Sequence, residues 1–310
     1  MGAYTFNHRG RMRNSDSLGK ITSYLPGVIA IFLWSTGAYF IFKMKNLPVS
    51  QILVVGQLVG GLISIYFEKS RFSLHSMKNR IRKGWAILAI FWISQYGYIY
   101  AFQNAPPAQI NLIFYTWPAI LIIIKAWNIT RKLNKWDIAG IWLGFMGIAI
   151  LLSPDLKQDA FSLRYLSGYL GSILGALGWV AYLLYTDQEK KDKKGFTSIG
   201  EDILILGIFN FFHLMITEHW IQPNTNEWMM LGYYSVSMFG IPYYLWRITL
   251  KKDPKMAGAL SNATPVLSII WLILAKITPF TIELAVSIVM VNLGIYCIDR
   301  SAKSTSSITG

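Results

Sequence analysis

The chain has 310 residues, 54% hydrophobic and only 14% charged, against about 25% charged in a soluble domain. That balance excludes an ordinary soluble enzyme or binding module. The formal net charge of +14 would suit nucleic acid, but the lysines and arginines are spread over many short segments rather than one surface, so no nucleic-acid partner is expected.

A membrane-crossing helix needs about 20 mostly apolar residues. Ten stretches qualify: 22–43, 49–67, 83–102, 106–126, 136–152, 166–186, 199–217, 228–248, 255–275 and 281–298. Basic residues favour the cytoplasmic side of short loops. With the N-terminus inside, 24 of the 29 lysines and arginines fall on that side: Arg9 to Lys20, Lys69 to Lys83, Lys125 to Lys135, Lys190 to Lys194, Arg247 to Lys255, and Arg300 with Lys303. Only Lys43, Lys45, Lys157, Arg164 and Lys276 fall outside. The expected fold is an all-α integral membrane protein of ten transmembrane helices in a lipid bilayer, with both termini cytoplasmic. Cys297 is the only cysteine, so no intrachain disulfide forms. Residues 1–21 are polar and basic with no cleavable signal visible, and read as a cytoplasmic tail.

Span 1 reads PGVIAIFLWSTGAYF, with Trp34, Ser35 and Thr36 near its middle. Trp34 lies too deep for the interfacial aromatic belt and is expected to line a pore. Span 2 carries Gln57 among Gly56, Gly60 and Gly61, a close-packing pattern in which Gln57 bridges helices. In span 3, WISQYGYIYAFQ, Tyr96, Tyr100 and Gln103 recur at helical spacing, giving a polar-aromatic face that needs a wet cavity or a satisfied bundle interior.

Span 4 contains INLIFYTWPAILII, with Asn111, Tyr115, Thr116 and a mid-segment Pro118. A proline there removes a backbone hydrogen bond and kinks the helix. Span 5 presents Gly140, Gly144 and Gly147 for packing, and Asp137 is expected as an interfacial charge at the helix start. Residues 153–165 form the longest outer connector.

Span 6, YLGSILGALGWVAYLLY, aligns with span 1 so that Trp179 falls on Trp34. Span 7 opens with Glu201 and Asp202, expected to face the Lys190–Lys194 cluster, and later carries Asn210 and His213. An ionisable residue inside a membrane is a functional candidate, so His213 is the candidate coupling residue, with a hydrogen-bonded packing role as the other reading. Span 8 holds Tyr243, Tyr244, Trp246 and Arg247, the counterparts of the span 3 tyrosines. Span 9, GALSNATPVLSII, repeats span 4 after 147 residues: Pro265 matches Pro118 and Asn262 matches Tyr115. Span 10 offers Asn292 and Gly294, with Glu283 at its outer end.

Spans 1 and 6 match, as do 4 and 9, and five spans per half make the halves run oppositely. The connector 103–107 carries no Lys or Arg while its counterpart carries Lys251, Lys252 and Lys255, the bias an inverted repeat requires. The halves are 22–152 and 166–299, with 300–310 as a second cytoplasmic tail. No metal-ligand motif, phosphate-cradling loop or nucleophile elbow appears, so no enzyme activity, cofactor or metal is expected.

IAIFLWST, NLIFYTWPAILII and ATPVLSII together resemble the drug/metabolite transporter superfamily in its ten-helix EamA-type form, most closely the YddG-type exporters of aromatic amino acids. The resemblance covers about 22–300. It implies ATP-independent alternating access in the cytoplasmic membrane, with a central cavity between helices 1, 3, 4, 6, 8 and 9. The substrate-binding candidates are Trp34, Thr36, Tyr96, Tyr100, Asn111, Tyr115, Trp179, Tyr182, Tyr243, Trp246 and Asn262, with Pro118 and Pro265 as gating residues. Aromatic rings bury flat apolar groups while their OH and NH groups orient polar ones, which suits aromatic or other bulky neutral amino acids as the small-molecule substrate. They also hold cations, so amines or drugs are the alternative substrates, and a non-transporting scaffold or intramembrane enzyme is the rival class. The sequence leaves the exact substrate, direction, energy source and oligomeric state open.

Overall fold

The structure is a computed structural model that describes residues 24–69, 73–130, 135–157, 163–191, 198–252, 260–261 and 263–306. The described residues are mostly helical, with no strand among them. The helices are α1 (Tyr24–Lys43), α2 (Val49–Glu68), α3 (Leu74–Asn104), α4 (Pro107–Phe114 resuming as Trp117–Thr130), α5 (Lys135–Lys157) and α6 (Leu163–Lys191). They continue as α7 (Ile199–Thr217), α8 (Thr225–Tyr234, a π-helical Ser235–Gly240, then Ile241–Lys252), α9 (Ala263–Leu274) and α10 (Ile282–Ser306). Six of them, α1, α2, α3, α4, α6 and α7, are long and apolar enough to cross a membrane. Large apolar side chains such as Phe145, Phe212 and Ile216 stand exposed on the outside of the bundle, the arrangement that lipid accepts and water does not.

Local chemistry starts the helices. Ser73 and Ser76 form a reciprocal capping box at α3, and Asn224 and Glu227 form another at α8. The Ser198 hydroxyl accepts from the Gly200 N–H at α7. Each cap satisfies donors the first turn leaves orphaned. The Ser73 cap begins α3 nine residues before the expected span, and the added turns carry Arg80 and a bend at Gly84.

Three helix pairs give the bundle its frame: α3 with α6, α5 with α10, and α2 with α7. Glycine sets how closely they approach. A Cβ on Gly97 would lie 2.7 Å from the Gly171 carbonyl oxygen, and one on Gly171 would lie 2.9 Å from that of Gly97. Gly140 and Gly294 interlock the same way, at 2.6 and 2.7 Å. Such close backbone contact is how helices gain packing energy in lipid, where the hydrophobic effect between them is absent. The larger core gathers Phe91, Phe102, Tyr234 and Phe239 with residues of α1, α2 and α7; a smaller one joins α4, α5, α9 and α10 around Leu112, Ile269 and Val291.

Both signature prolines fall in the first turn of a helix. Pro118 is the second residue of the resumed α4 and Pro265 the third of α9, positions where the missing N–H removes no intrahelical bond. α4 is therefore interrupted at Tyr115–Thr116 instead of bent in mid-helix, with Thr116 N–H and Oγ both turned back to the Ile113 carbonyl. Asp137, expected at the interface, lies in the first turn of α5 and is buried.

Candidate functional site

Rings from four helices meet in one cluster. Trp34 on α1 stands edge-on to Tyr243 and Trp246 of α8, with centroids 5.3 and 5.7 Å apart. Tyr243 faces Trp179 on α6 at 6.5 Å, and Trp179 in turn meets Trp117 of α4 at 6.3 Å. Edge-to-face pairs at these distances are favourable beyond their buried area. Trp34 also donates its indole N–H to the Met238 carbonyl inside the π-helical turn of α8 (3.3 Å). Widened turns of this kind often mark functional positions. The repeat-matched pair Trp34 and Trp179 thus flanks Tyr243, and Trp117 joins them although the sequence had singled out its neighbours Tyr115, Thr116 and Pro118 and not Trp117 itself.

Tyr182 closes the wall behind Trp179. It stacks on Phe91 at 4.0 Å and is buried. Its hydroxyl donates to Asp202 Oδ2 (2.8 Å), and the same carboxylate is gripped by Arg80, Nε to Oδ1 and Nη2 to Oδ2, both at 2.8 Å. Side-chain exposures of 5% and 1% make this a desolvated pair. Two expectations are corrected here. Asp202 is paired with Arg80 on α3, while the Lys190–Lys194 cluster it was expected to face lies largely outside the described residues, and Arg80 is a buried helix residue and not a loop cation. The apolar spacing of Met77 and Leu88 around Arg80, following the Ser73 cap, is the sequence signal that extends α3 back to include it.

The polar face of α3 turns elsewhere. Tyr96 donates its hydroxyl to Glu218 Oε1 (2.9 Å), while Ser50 N–H holds Glu218 Oε2 (3.2 Å) and Ser50 Oγ meets His213 Nδ1 (2.7 Å). Tyr100 stacks on Tyr96. Nearby, Trp92 donates to Asn210 Oδ1 (2.8 Å) and Asn210 donates to Gln57 Oε1 (2.9 Å), so Gln57 does bridge α2 to α7. Tyr96, Tyr100 and His213 therefore belong to a second, polar cluster, apart from the Trp34 rings. Thr36 sits with neither: its hydroxyl returns to the Leu33 carbonyl and lies 3.2 Å from the Tyr233 hydroxyl. Back-bonding by Ser35 and Thr36 coincides with a break in α1.

Asn111 is fully buried at the α3–α4–α9 junction. Its Oδ1 accepts from Tyr98 (3.2 Å) and from Ser268 (3.3 Å). Tyr115 is half-buried at the break in α4, edge-on to Phe114. Asn262 lies outside the described residues. At one end of the bundle a cavity of about 350 Å³ is lined by Phe42, Lys45, Phe102, Pro107, Arg164 and Tyr165. Two of the five cations assigned to the sparse side of the chain thus converge on one opening.

The model of the EamA-like transporter family matches residues 21–153 and, a second time, 166–299. The chain belongs to the EamA-like transporter family. As a member it is a multi-pass membrane transporter, and its two matched stretches carry Trp34 and Trp179 respectively. Among its relatives is the aromatic amino acid exporter YddG of Ancylobacter novellus, 26% identical over 267 residues, covering 83% of this chain and 90% of the relative. YddG of Escherichia coli is 24% identical, covering 79% and 85%. An uncharacterized transporter of Acidianus ambivalens is 27% identical over 68% of this chain and 78% of its own length. A solved crystal structure shares the fold at a TM-score of 0.67, covering 92% of this chain and 98% of that one.

Proposed function

We propose that this EamA-like transporter exports aromatic or other bulky neutral amino acids across the cytoplasmic membrane by alternating access, without ATP. The observation that carries the reading is the ring cluster of Trp34, Tyr243, Trp246, Trp179 and Trp117, contributed by both repeats. In this reading the halves 22–152 and 166–299 are inverted five-helix repeats joined by the outer connector 153–165, with cytoplasmic tails 1–21 and 300–310. Inverted repeats place matching residues about a pseudo-two-fold axis near mid-membrane, where carriers bind substrate. Trp34, Trp179, Tyr243 and Trp246 would enclose the ring, with Tyr182 behind them. Asn111 and Tyr115 would stand at the interruption of α4 and Asn262 just ahead of α9, with Pro118 and Pro265 in the opening turns of the helical segments that follow, as one half rocks against the other. Thr36, Tyr96, Tyr100 and His213 would act from the neighbouring polar layers, His213 as a coupling group.

Purified protein in liposomes tests this. Phenylalanine, tyrosine or tryptophan should move down a gradient with no ATP, and Trp34→Ala or Trp179→Ala should reduce that movement by tenfold or more. Transport of aromatic amines alone would replace the substrate reading with the cation–π alternative. Movement of neither class by folded, monodisperse protein would overturn it. Reporter fusions after Lys83, Lys132, Lys194 and Lys255 should read cytoplasmic, and fusions at Gln158 and Gln222 should read outside; a cytoplasmic reading at Gln222 would break the ten-helix count.

A further inference from the structure

Asn111 holds a buried amide that the protein satisfies on one side only. Its Oδ1 takes two hydroxyl donors, Tyr98 and Ser268, while its Nδ2, with two N–H groups, has no partner among the described residues. The side chain is fully buried, and native proteins leave few such groups unmade because the desolvated donor is costly. Turning the amide over moves the orphan without removing it: both hydroxyls also accept, and the oxygen would then lack a donor. Phe114 ends the first segment of α4 one turn beyond Asn111, and the last carbonyls of a helix lack the donors that a continuing helix supplies. Trp117, whose ring joins the aromatic cluster through Trp179, follows in the same interrupted stretch.

We infer that Asn111, with the interrupted turn that follows it, is the head-group subsite, and that it selects a carboxylate-bearing α-amino acid over the corresponding amine. A carboxylate accepts both Nδ2 hydrogens, and the ammonium beside it has the Phe114 carbonyl as an acceptor. An amine head group has only hydrogens to give and leaves Nδ2 as it is. Asp202, bonded to Tyr182 behind the rings, offers the amine no replacement, because it is already gripped by Arg80 at two points. This inference rests on the aromatic amino-acid reading and deepens it.

The test uses full-length protein in liposomes, with phenylalanine and phenethylamine as paired substrates. Wild type should take phenylalanine in preference. Asn111→Ala should weaken phenylalanine uptake about tenfold or more and leave phenethylamine within about twofold. Asn111→Asp, which sets an anion against the carboxylate, should weaken phenylalanine further. Should the variants fail to fold, wild type alone decides the matter: phenylpropionate, which keeps the carboxylate and lacks the amine, should inhibit phenylalanine uptake more strongly than phenethylamine does. Equal loss of both substrates in Asn111→Ala, or stronger inhibition by phenethylamine, overturns the head-group assignment while the aromatic reading stands. Wild type that moves neither substrate overturns the aromatic reading, and this inference with it.

Discussion

The two ends of α7 hold α3 by opposite means. At the Asp202 end the tie is a bidentate ion pair to Arg80, capped by the Tyr182 hydroxyl and shut away from solvent. At the Glu218 end the tie is a carboxylate that receives a phenol and a backbone N–H, half-buried beside His213. A desolvated charge pair is all-or-none: removing one partner leaves the other charge buried and uncompensated, which is worse than never having had the pair. A half-exposed carboxylate with neutral donors loses one contact at a time, because water replaces what the protein withdraws. The Asp202 end behaves as a fixed pin behind the aromatic wall, and the Glu218 end as an adjustable tie.

The largest expected effect is at the pin. Arg80→Ala or Asp202→Ala should cost about 3–5 kcal/mol of stability, read from denaturant or thermal unfolding in detergent, and the double variant should cost clearly less than the sum of the two. Additive costs would mean the two side chains are not acting as a pair.

Glu218→Ala comes next, at about 1.5–3 kcal/mol, since it removes a charged acceptor from two donors. Glu218→Gln retains an acceptor for Tyr96 and should recover most of that loss. A Glu218→Ala cost equal to that of Asp202→Ala would erase the distinction between pin and tie.

Tyr96→Phe removes one interhelical hydrogen bond of a kind that averages about 0.6 kcal/mol in membranes. Its melting temperature should stay within a few degrees of wild type, whereas Tyr182→Phe, at the pin, should fall further because Asp202 is desolvated and loses a donor.

The smallest effect is expected away from α7 altogether. Lys125 and Asp187 also form an ion pair, but their side chains are 47% and 41% exposed. Asp187→Asn should change stability by less than about 0.5 kcal/mol, an effect that added salt makes smaller still. A large loss there would show that ion pairs in this bundle are not graded by burial.

What the sequence determines follows from patterns that one chain carries along its own length. Apolar runs of about 20 residues need no partner to be recognised, because the bilayer itself imposes the length. The alignment of span 6 with span 1 matches Trp179 to Trp34 before any fold is known, and Tyr243 does lie between those two rings. What only the tertiary structure decides is which way each helix is turned and what it meets. Spans 3 and 8 each carry a group of tyrosines, yet Tyr96 donates to Glu218 while Tyr243 packs on Trp34. The Ser73 cap can carry α3 past Arg80 in the sequence, but the partner of Arg80 comes only with the fold, which brings Asp202, 122 residues away, to 2.8 Å. Hydrophobic periodicity reports that a face is buried; the identity of its neighbour is set by packing between helices far apart in the chain, where glycine contacts such as Gly97 with Gly171 fix distance and rotation together.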